Sequence, residues 1–185
     1  MGSAARWIRL GPSGPHDLHA ACIGLSMSQA ERAAPIVLWA QASAPIIGDF
    51  LSVEEDHFTF ALIAPLRHAP GRRSRWRAWG LAPALATYRQ FGVRAYLDED
   101  ALCLNGRRIG ESGAQAIGGC AVVACSFLPR LPEALDRWVE RDLEAVFRER
   151  IEAQHGWEFE NSWPSVTERA SIADALAAEE ADAER

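Results

Sequence analysis

Alternating apolar and polar positions divide much of the chain into short β-strands. Phe58, Phe60 and Leu62 repeat every second residue within 57–65, which predicts that one face of that strand is buried. The other segments predicted to be strands or extended apolar runs are 6–10, 35–41, 45–48, 96–104, 107–115, 120–128 and 157–164. The last segment is typical of an extended piece that covers the edge of a sheet.

Apolar spacings of three and four residues predict the helices. The most regular helix is expected over 132–154, where one apolar stripe recurs. Another is expected over 17–32, with Asp17 as a suitable cap. A third is predicted over 75–91, although Pro83 should kink it or divide it into two pieces.

The order of these segments predicts a single α+β domain. We expect a mixed sheet of six or seven strands with helices packed against it. From Glu168 onward the chain is rich in Ala and Glu, which predicts a short helix that fades into a solvated tail. The expected organisation is one domain over 1–165 and a C-terminal helix or tail over 166–185.

The composition is that of a folded protein of moderate size. The 185 residues are 49% hydrophobic and 24% charged, with a net charge of −6, so one domain with a sizeable core is expected. The negative charge argues against a general nucleic-acid partner. No apolar run approaches the 18 residues that a membrane span needs, so no membrane partner is expected either.

The four cysteines show neither a CxxC pair nor the spacing of metal ligands. No metal site is therefore expected. Free thiols in a protein core are stable in a reducing compartment, and we expect a cytoplasmic protein with buried cysteines.

The chain contains no lysine, because all 19 of its basic residues are arginine. Schiff-base chemistry, a P-loop lysine and self-lipoylation all need an ε-amine, so each is excluded. A compositional preference for Arg and Ala explains the absence, but the amine is missing whatever its cause.

A β-hairpin is the strongest local signal in the sequence. Asn105-Gly106 lies between two alternating apolar runs, and both turn residues tolerate positive φ. Small residues and a second turn, Gly118-Gly119, follow before the apolar strand over 120–128. Glycines inside a strand indicate bulges or a close approach of other backbone.

The hairpin, from Asn105 to the strand that ends near Leu128, resembles the core of the biotin/lipoate protein ligases, which include lipoate–protein ligase A and the octanoyltransferases. In that family the segment reads G-(R/K)-K-(I/V)-(S/A)-G-(S/I), and its lysine touches the acyl carbonyl and the α-phosphate of the acyl-adenylate. The resemblance extends weakly over 17–154 and implies a biotin/lipoate-protein-ligase-like fold for 1–165. It places Arg108 at the lysine position.

The family's second signature, RRxxGGGxVxHxxG, holds the ligand and its phosphate. It should fall between Gly48 and Phe58, where the chain has no glycine and four carboxylates. Like charge there would repel an ATP phosphate. His57 is either the remnant of the motif's histidine or a surface residue at the start of a strand.

The resemblance implies a binding site around the hairpin. Arg108 would meet the carboxylate or phosphoryl end of an acyl ligand through its guanidinium group; alternatively, one of Arg107 and Arg108 pairs with Glu111 and the other is solvated. The residues implied to border the acyl pocket, unless the hairpin is simply bulged, are Gly110, Ser112, Gly113, Gln115, Gly118, Gly119 and His57.

Two cysteines on the following strand offer a different chemistry. An octanoyltransferase-like route needs a thiol nucleophile beside a basic group, and Cys120 and Cys125 are the candidates. Because they are an odd number of positions apart on one strand, they should face opposite sides of the sheet. The alternative is that both are buried thiols without a catalytic role.

The basic run 72–79 interleaves arginines with Trp76 and Trp79. It could stack on nucleic-acid bases or bind an acidic protein surface such as that of a lipoyl domain. The simpler interpretation is an exposed loop that leads into a helix whose tryptophans face the core.

These features lead to one functional expectation with two alternatives. We expect a divergent lipoate–, octanoate– or biotin–protein ligase-like protein that binds an acyl group, its adenylate, or a lipoyl or biotinyl carrier domain. ATP-dependent adenylation with Mg²⁺ should be lost or weak, because both the lysine and the glycine-rich segment are missing. The alternatives are a non-catalytic binding or scaffold module and a cysteine-dependent acyltransferase.

Overall fold

The computed structural model of the protein describes residues 2–14, 16–29, 33–45, 50–51, 53–99, 101–128 and 140–183. The strands are β1 (Ser3–Ser13), β2 (Ile36–Ala42), β3 (Phe58–Pro65), β4 (Tyr96–Asp98), β5 (Ala101–Leu104), β6 (Arg107–Ile117), β7 (Cys120–Phe127) and β8 (Trp157–Asn161). The α-helices are α1 (Asp17–Ser28), α2 (Trp76–Gln90), α3 (Glu140–His155) and α4 (Val166–Ala183). Two single 3₁₀ turns, Leu66–His68 and Arg73–Arg75, lie between β3 and α2.

The described strands form one mixed sheet in the order β4-β5-β6-β7-β3-β2-β1-β8. Strand β1 is parallel to both β2 and β8, and every other pair is antiparallel. The sheet has more strands than the six or seven expected. One reason is that the apolar run over 96–104 is divided into β4 and β5 near Glu99, whose φ of 49° turns the chain.

Each face of the sheet carries its own hydrophobic core. On one face, aromatic residues of the strands, which include Trp7, Trp39, Phe60 and Phe127, pack beneath α2 and α3, and Phe147 of α3 packs among them. On the other face, aliphatic residues such as Ile8, Leu38 and Ile63 pack beneath α1. The run of eight buried residues in both β3 and β7 follows from this double coverage.

The helices depart from the sequence expectations in informative ways. Helix α1 ends at Ser28 because Gln29 is extended (φ −75°, ψ 125°), so the predicted continuation to Arg32 is wrong at that residue. Helix α2 continues through Pro83, whose side chain is buried. The predicted start of α3 at Pro132 lies outside the described residues, as do Ile46 to Gly48 of the predicted run 45–48.

The C-terminal segment is an 18-residue helix that packs against α1. Gly24 of α1 makes this contact close, because a Cβ there would lie 2.5 Å from the backbone nitrogen of Ile172. Ala175 is buried in the same layer. This helix therefore belongs to the packed structure and does not fade into solvent after a short start.

Among the described helices, none is both long and apolar enough to cross a membrane.

Candidate functional site

A cavity of about 360 Å³ opens where β6 begins and where β3 and β7 meet at one end of the sheet. Its walls combine apolar residues with ionisable ones. The lining includes Val53, Glu54, His57, Arg108, Gly110 and Glu111. Three of the residues proposed from the sequence, His57, Arg108 and Gly110, thus lie around one cavity, although β7 separates their strands.

The hairpin turn that begins β6 is present at the predicted position. Asn105 has φ 50° and Gly106 has φ 76°, as a two-residue turn with positive φ at both positions requires. Strand pairing then shifts register: Cys103 lies opposite Arg108, and Leu102 lies opposite Gly110. Ile109 is therefore the extra residue of a β-bulge, a feature that re-aims side chains and often occurs next to sites.

Gly110 is required by the backbone of β7. A Cβ on this residue would lie 2.4 Å from the carbonyl oxygen of Ser126, closer than a side chain can approach. The N–H of Glu111 donates to Ser126 Oγ over 3.1 Å, which fixes β6 against the end of β7. Ser126 was detectable from one unused signal, because it is a hydroxyl residue in an otherwise apolar strand.

One carboxylate, that of Glu111, pairs with the arginine at this cavity. Arg108 Nη1 lies 3.5 Å from Glu111 Oε1, and the two side chains are 62% and 44% exposed. A pair this exposed contributes at most about 1 kcal/mol, so it leaves the guanidinium able to exchange partners. The pairing with Glu111 considered from the sequence is present, and Arg107 is exposed.

His57 is buried, not a surface residue. It is 8% exposed, and burial lowers the pKa of its imidazole, although the carboxylates of Glu54 and Asp56 oppose this effect. Its Nε2 lies 3.8 Å from Glu54 Oε2. The ring is therefore mostly neutral at pH 7, so it can donate one hydrogen bond and accept another.

The remaining proposed residues lie farther along β6 or in the turn between β6 and β7, and they do not line this cavity. Gly113 is needed because the carbonyl oxygen of Phe50 packs against it, and Gly118 (φ 52°) packs against Ser26. Gly119 (φ 78°) completes that turn. Ser112 is buried, and Gln115 Nε2 lies 3.0 Å from His19 Nε2 of α1.

The geometry of the cysteines disfavours a thiol nucleophile. Cys120 and Cys125 are 1% and 0% exposed, and burial raises the pKa of both thiols. They lie in the cores of opposite faces, as the spacing predicted. A raised pKa reduces the thiolate fraction on which reactivity depends.

A second cavity, of about 380 Å³, had no signal in the sequence. It lies where β1 and β2 end, beside α3, and is lined by residues that include Arg9, Trp39 and Glu144. Glu144 Oε1 accepts hydrogen bonds from Trp7 Nε1 and Arg9 Nε, at 2.6 and 2.7 Å. In the described part of the chain, no group of three or more His, Cys, Asp or Glu side chains is arranged to hold a metal ion.

No family model and no curated protein matches the chain by sequence. Solved structures do match its fold. A bipartite lipoate protein ligase from Thermoplasma acidophilum, described with its E2 lipoyl domain, has a TM-score of 0.79 at 10% identity over 95% of this chain and 92% of that one.

Two further structures agree with this likeness. A lipoate-protein ligase A bound with ATP has a TM-score of 0.75 at 8% identity, over 96% of this chain and 95% of its own. A biotin acetyl coenzyme A carboxylase synthetase from Helicobacter pylori, with bound biotinylated ATP, has a TM-score of 0.60 at 17% identity over 80% and 75%. The protein therefore has the α+β fold of the lipoate-protein and biotin-protein ligases.

Proposed function

We propose that this protein is a divergent member of the lipoate- and biotin-ligase group that binds an acyl ligand, in which ATP-dependent adenylation is lost or weak. The observation that carries the proposal is the cavity shared by His57, Arg108 and Gly110. This cavity lies on a fold similar to that of a lipoate protein ligase, beside the same hairpin that the sequence resemblance pointed to. The fold alone does not decide the activity, so the proposal depends on what these side chains can do.

The cavity suits a small molecule with an apolar body and an acidic end. Val53, Ile109 and Leu128 supply apolar contacts. Arg108 can take a carboxylate through two parallel N–H bonds, and a neutral His57 can donate one more. A volume of about 360 Å³ is at the lower end of ligand sites, which fits lipoate, octanoate or biotin.

The same cavity is poorly suited to the phosphates of a nucleotide. Glu54 and Glu111 add negative charge to its lining, and the resulting repulsion grows with the charge of the ligand, so it acts more strongly on a polyphosphate than on a single carboxylate. No lysine is available anywhere in the chain to offset it, and the guanidinium of Arg108 is not a close substitute for a point-like ammonium. The residues present at this cavity do not fit the phosphates of ATP.

The acceptor in this proposal is a lipoyl or biotinyl carrier domain. Support comes from the Thermoplasma acidophilum structure, which pairs a ligase with an E2 lipoyl domain. A non-catalytic module that keeps the scaffold to bind the acyl group or such a domain is the second candidate, favoured by the two carboxylates at the cavity. A cysteine-dependent acyltransferase is the least supported, because Cys120 and Cys125 are buried.

Two measurements test the proposal. Thermal shift with lipoate, octanoate and biotin should show stabilisation by at least one acid, since a ligand at 100 times its Kd adds about 2.7 kcal/mol. Incubation with ATP, lipoate and an apo carrier domain should leave the acceptor mass unchanged or nearly so. Binding of no acid would refute the site, and acceptor modification at an ordinary ligase rate would refute the loss of adenylation.

A further inference from the structure

The segment between β3 and α2 concentrates arginine in an acidic protein. Arg67, Arg72, Arg73 and Arg75 fall within nine residues, while the chain carries a net charge of −6. We define the basic segment as Arg67–Arg75. In the described part of the chain, none of these four guanidinium groups lies within 4.0 Å of a carboxylate. Among the residues that the structure describes, no carboxylate therefore neutralises this positive charge.

The backbone holds this segment in a defined shape. Trp76, 4% exposed, anchors its end in the core and donates from Nε1 to the carbonyl of Pro70 over 2.6 Å. The N–H of Arg75 donates to the carbonyl of Arg72 over 2.9 Å, which closes a 3₁₀ turn. Arg72 and Arg75 are exposed at the two ends of this turn, about 6 Å apart along its axis. Ordering these arginines on binding therefore costs little backbone entropy.

The chemistry around the arginines distinguishes among anionic partners. A single-stranded nucleic acid needs exposed aromatic faces for its bases, but Trp76 is buried and Trp79 packs against His155 and Trp157. A guanidinium fork binds carboxylates through paired N–H bonds. Two forks one turn apart match carboxylates at positions i and i+4 of an acidic helix, whose Cβ atoms lie about 5–6 Å apart.

The basic segment lies at the other end of β3 from the candidate cavity. His57 precedes Phe58 at one end, and Leu66 follows Pro65 at the other. Eight residues of strand separate the two ends by about 23 Å. A partner bound at the arginines therefore leaves the cavity uncovered, and the two surfaces can be tested separately.

From this arrangement we propose that the basic segment is a docking surface for an acidic protein, which it contacts through a helix with carboxylates at i, i+4 spacing. Arg72 and Arg75 make the principal contacts. The guanidinium of Arg73 stacks over Trp76 at 5.5 Å from the ring centroid, so this side chain is less available to a partner. The proposal does not depend on which ligand occupies the cavity.

The test uses the full chain and three synthetic probes. The first is a helical peptide with Glu pairs at i, i+4 along one face; the second has the same composition in scrambled order; the third is a single-stranded DNA oligonucleotide. Binding is followed by fluorescence anisotropy at 50 and 200 mM NaCl. We expect the patterned peptide to bind most tightly, and its affinity to fall at higher salt because exposed charges are screened.

Two charge-matched double variants decide the location. R72E with R75E should weaken binding of the patterned peptide at least about tenfold, since it replaces two attractive contacts with two repulsive ones. R89E with R94E makes the same charge change at exposed arginines elsewhere and should change binding less than about threefold. Both variants should keep the wild-type circular dichroism spectrum.

Equal losses in the two double variants would overturn the proposal, because binding would then follow net charge alone. Tighter binding of the oligonucleotide than of the patterned peptide would overturn the choice of partner. Thermal shift by cavity ligands should be unchanged in R72E with R75E, so failure of this surface and failure of the cavity are distinguishable.

Discussion

Arg6 of the first strand and Glu168 of the last helix form a two-point ion pair, with Nη1–Oε1 at 2.5 Å and Nη2–Oε2 at 3.0 Å. The carboxylate also accepts the N–H of Ser165, while Ser165 Oγ accepts the N–H of Glu168. This reciprocal arrangement is a capping box at the start of α4. One glutamate therefore caps α4 and ties it to β1, the strand next to the edge strand β8.

Replacing this carboxylate by an amide should destabilise the protein. For Glu168→Gln we expect the free energy of unfolding to fall by about 2 kcal/mol, because Arg6 loses a charged partner in a partly buried site. Urea unfolding at pH 7 measures the change. Glu152→Gln, which breaks the more exposed helical pair with Arg148, should cost about 0.5 kcal/mol. Equal losses of unfolding free energy in the two variants would show that the Arg6–Glu168 pair stabilises the protein no more than an exposed helical pair.

The same pair predicts an acid-dependent loss of stability. Hydrogen bonding from Arg6 lowers the pKa of the Glu168 carboxyl in the folded protein below its ordinary value of 4.5. The unfolded chain therefore binds this proton first, and the contribution present above pH 4.5 is lost as the pH falls through the folded pKa. The difference between wild type and Glu168→Gln should shrink between pH 5 and pH 3. A constant difference would contradict the assignment.

His155 predicts a second pH effect at a higher range. Its ring packs between Trp79 and Trp157, and burial lowers its pKa from 6.5 to about 4. Below pH 6.5 the unfolded chain gains a proton that the folded one does not, so stability falls by about 2 kcal/mol as the pH drops toward 4. His155→Phe keeps the ring contacts and should reduce the slope of the unfolding free energy between pH 6.5 and 4.5, leaving the smaller part that the lowered pKa values of His57 and His68 contribute. His16→Gln, at a half-exposed position, should leave that slope in place.

The close approach of β7 to Gly110 predicts a stability cost at the site. Gly110→Ala would force a Cβ against the Ser126 carbonyl, and we expect a loss of about 2 kcal/mol from the strain. Gly71→Ala is the matched control, since nothing lies within 4 Å of the new Cβ; it should change stability by no more than about 1 kcal/mol. Chemical denaturation of both variants makes the comparison, and equal effects would refute the packing argument.

Arg108 should carry the binding of an acidic ligand. For Arg108→Ala we expect about tenfold weaker binding of whichever acid stabilises the wild type, because a charge-assisted hydrogen bond is lost. Isothermal titration gives the affinities. Arg107→Ala removes the neighbouring exposed guanidinium and should change affinity less than about twofold. If both substitutions act alike, Arg108 has no specific role.

The carboxylates at the cavity should exclude nucleotides. Glu54→Gln with Glu111→Gln removes both negative charges, and we expect tighter binding of ATP than in the wild type, by up to about tenfold, because ATP carries several negative charges. The matched double variant Glu149→Gln with Glu160→Gln makes the same charge change outside the cavity, and it should have little effect. Affinities from fluorescence or calorimetric titration decide between the two outcomes.

Local sequence signals predicted the hairpin and its surroundings well. The Asn105-Gly106 turn was predictable because its conformation depends on two adjacent residues. The bulge and the Gly110 contact were indicated by glycines where a strand needs side chains. The α+β class also followed from the order of the periodic segments.

Features that depend on contacts distant in sequence were harder to predict. His57 and Arg108 lie around one cavity because the strands β3 and β6 both pair with β7. Neither local segment specifies this pairing. Burial of His57 depends on the same arrangement. The full length of α4 had a local signal that the prediction did not use, since Ser165 and Glu168 have the spacing of a capping box. Its packing depends on Gly24, about 150 positions earlier in the chain.

Cys120 and Cys125 lie on opposite faces of the sheet, so the alkylation rate of each thiol reports the local opening of its own face. Each thiol is covered by a different helical layer. An alkylating reagent can therefore reach Cys120 only when α1 and α4 separate from the sheet, and Cys125 only when α2 and α3 do. Comparing their labelling rates in the native protein would reveal which layer detaches first. The protein thus carries its own probes of partial unfolding without any engineered residue.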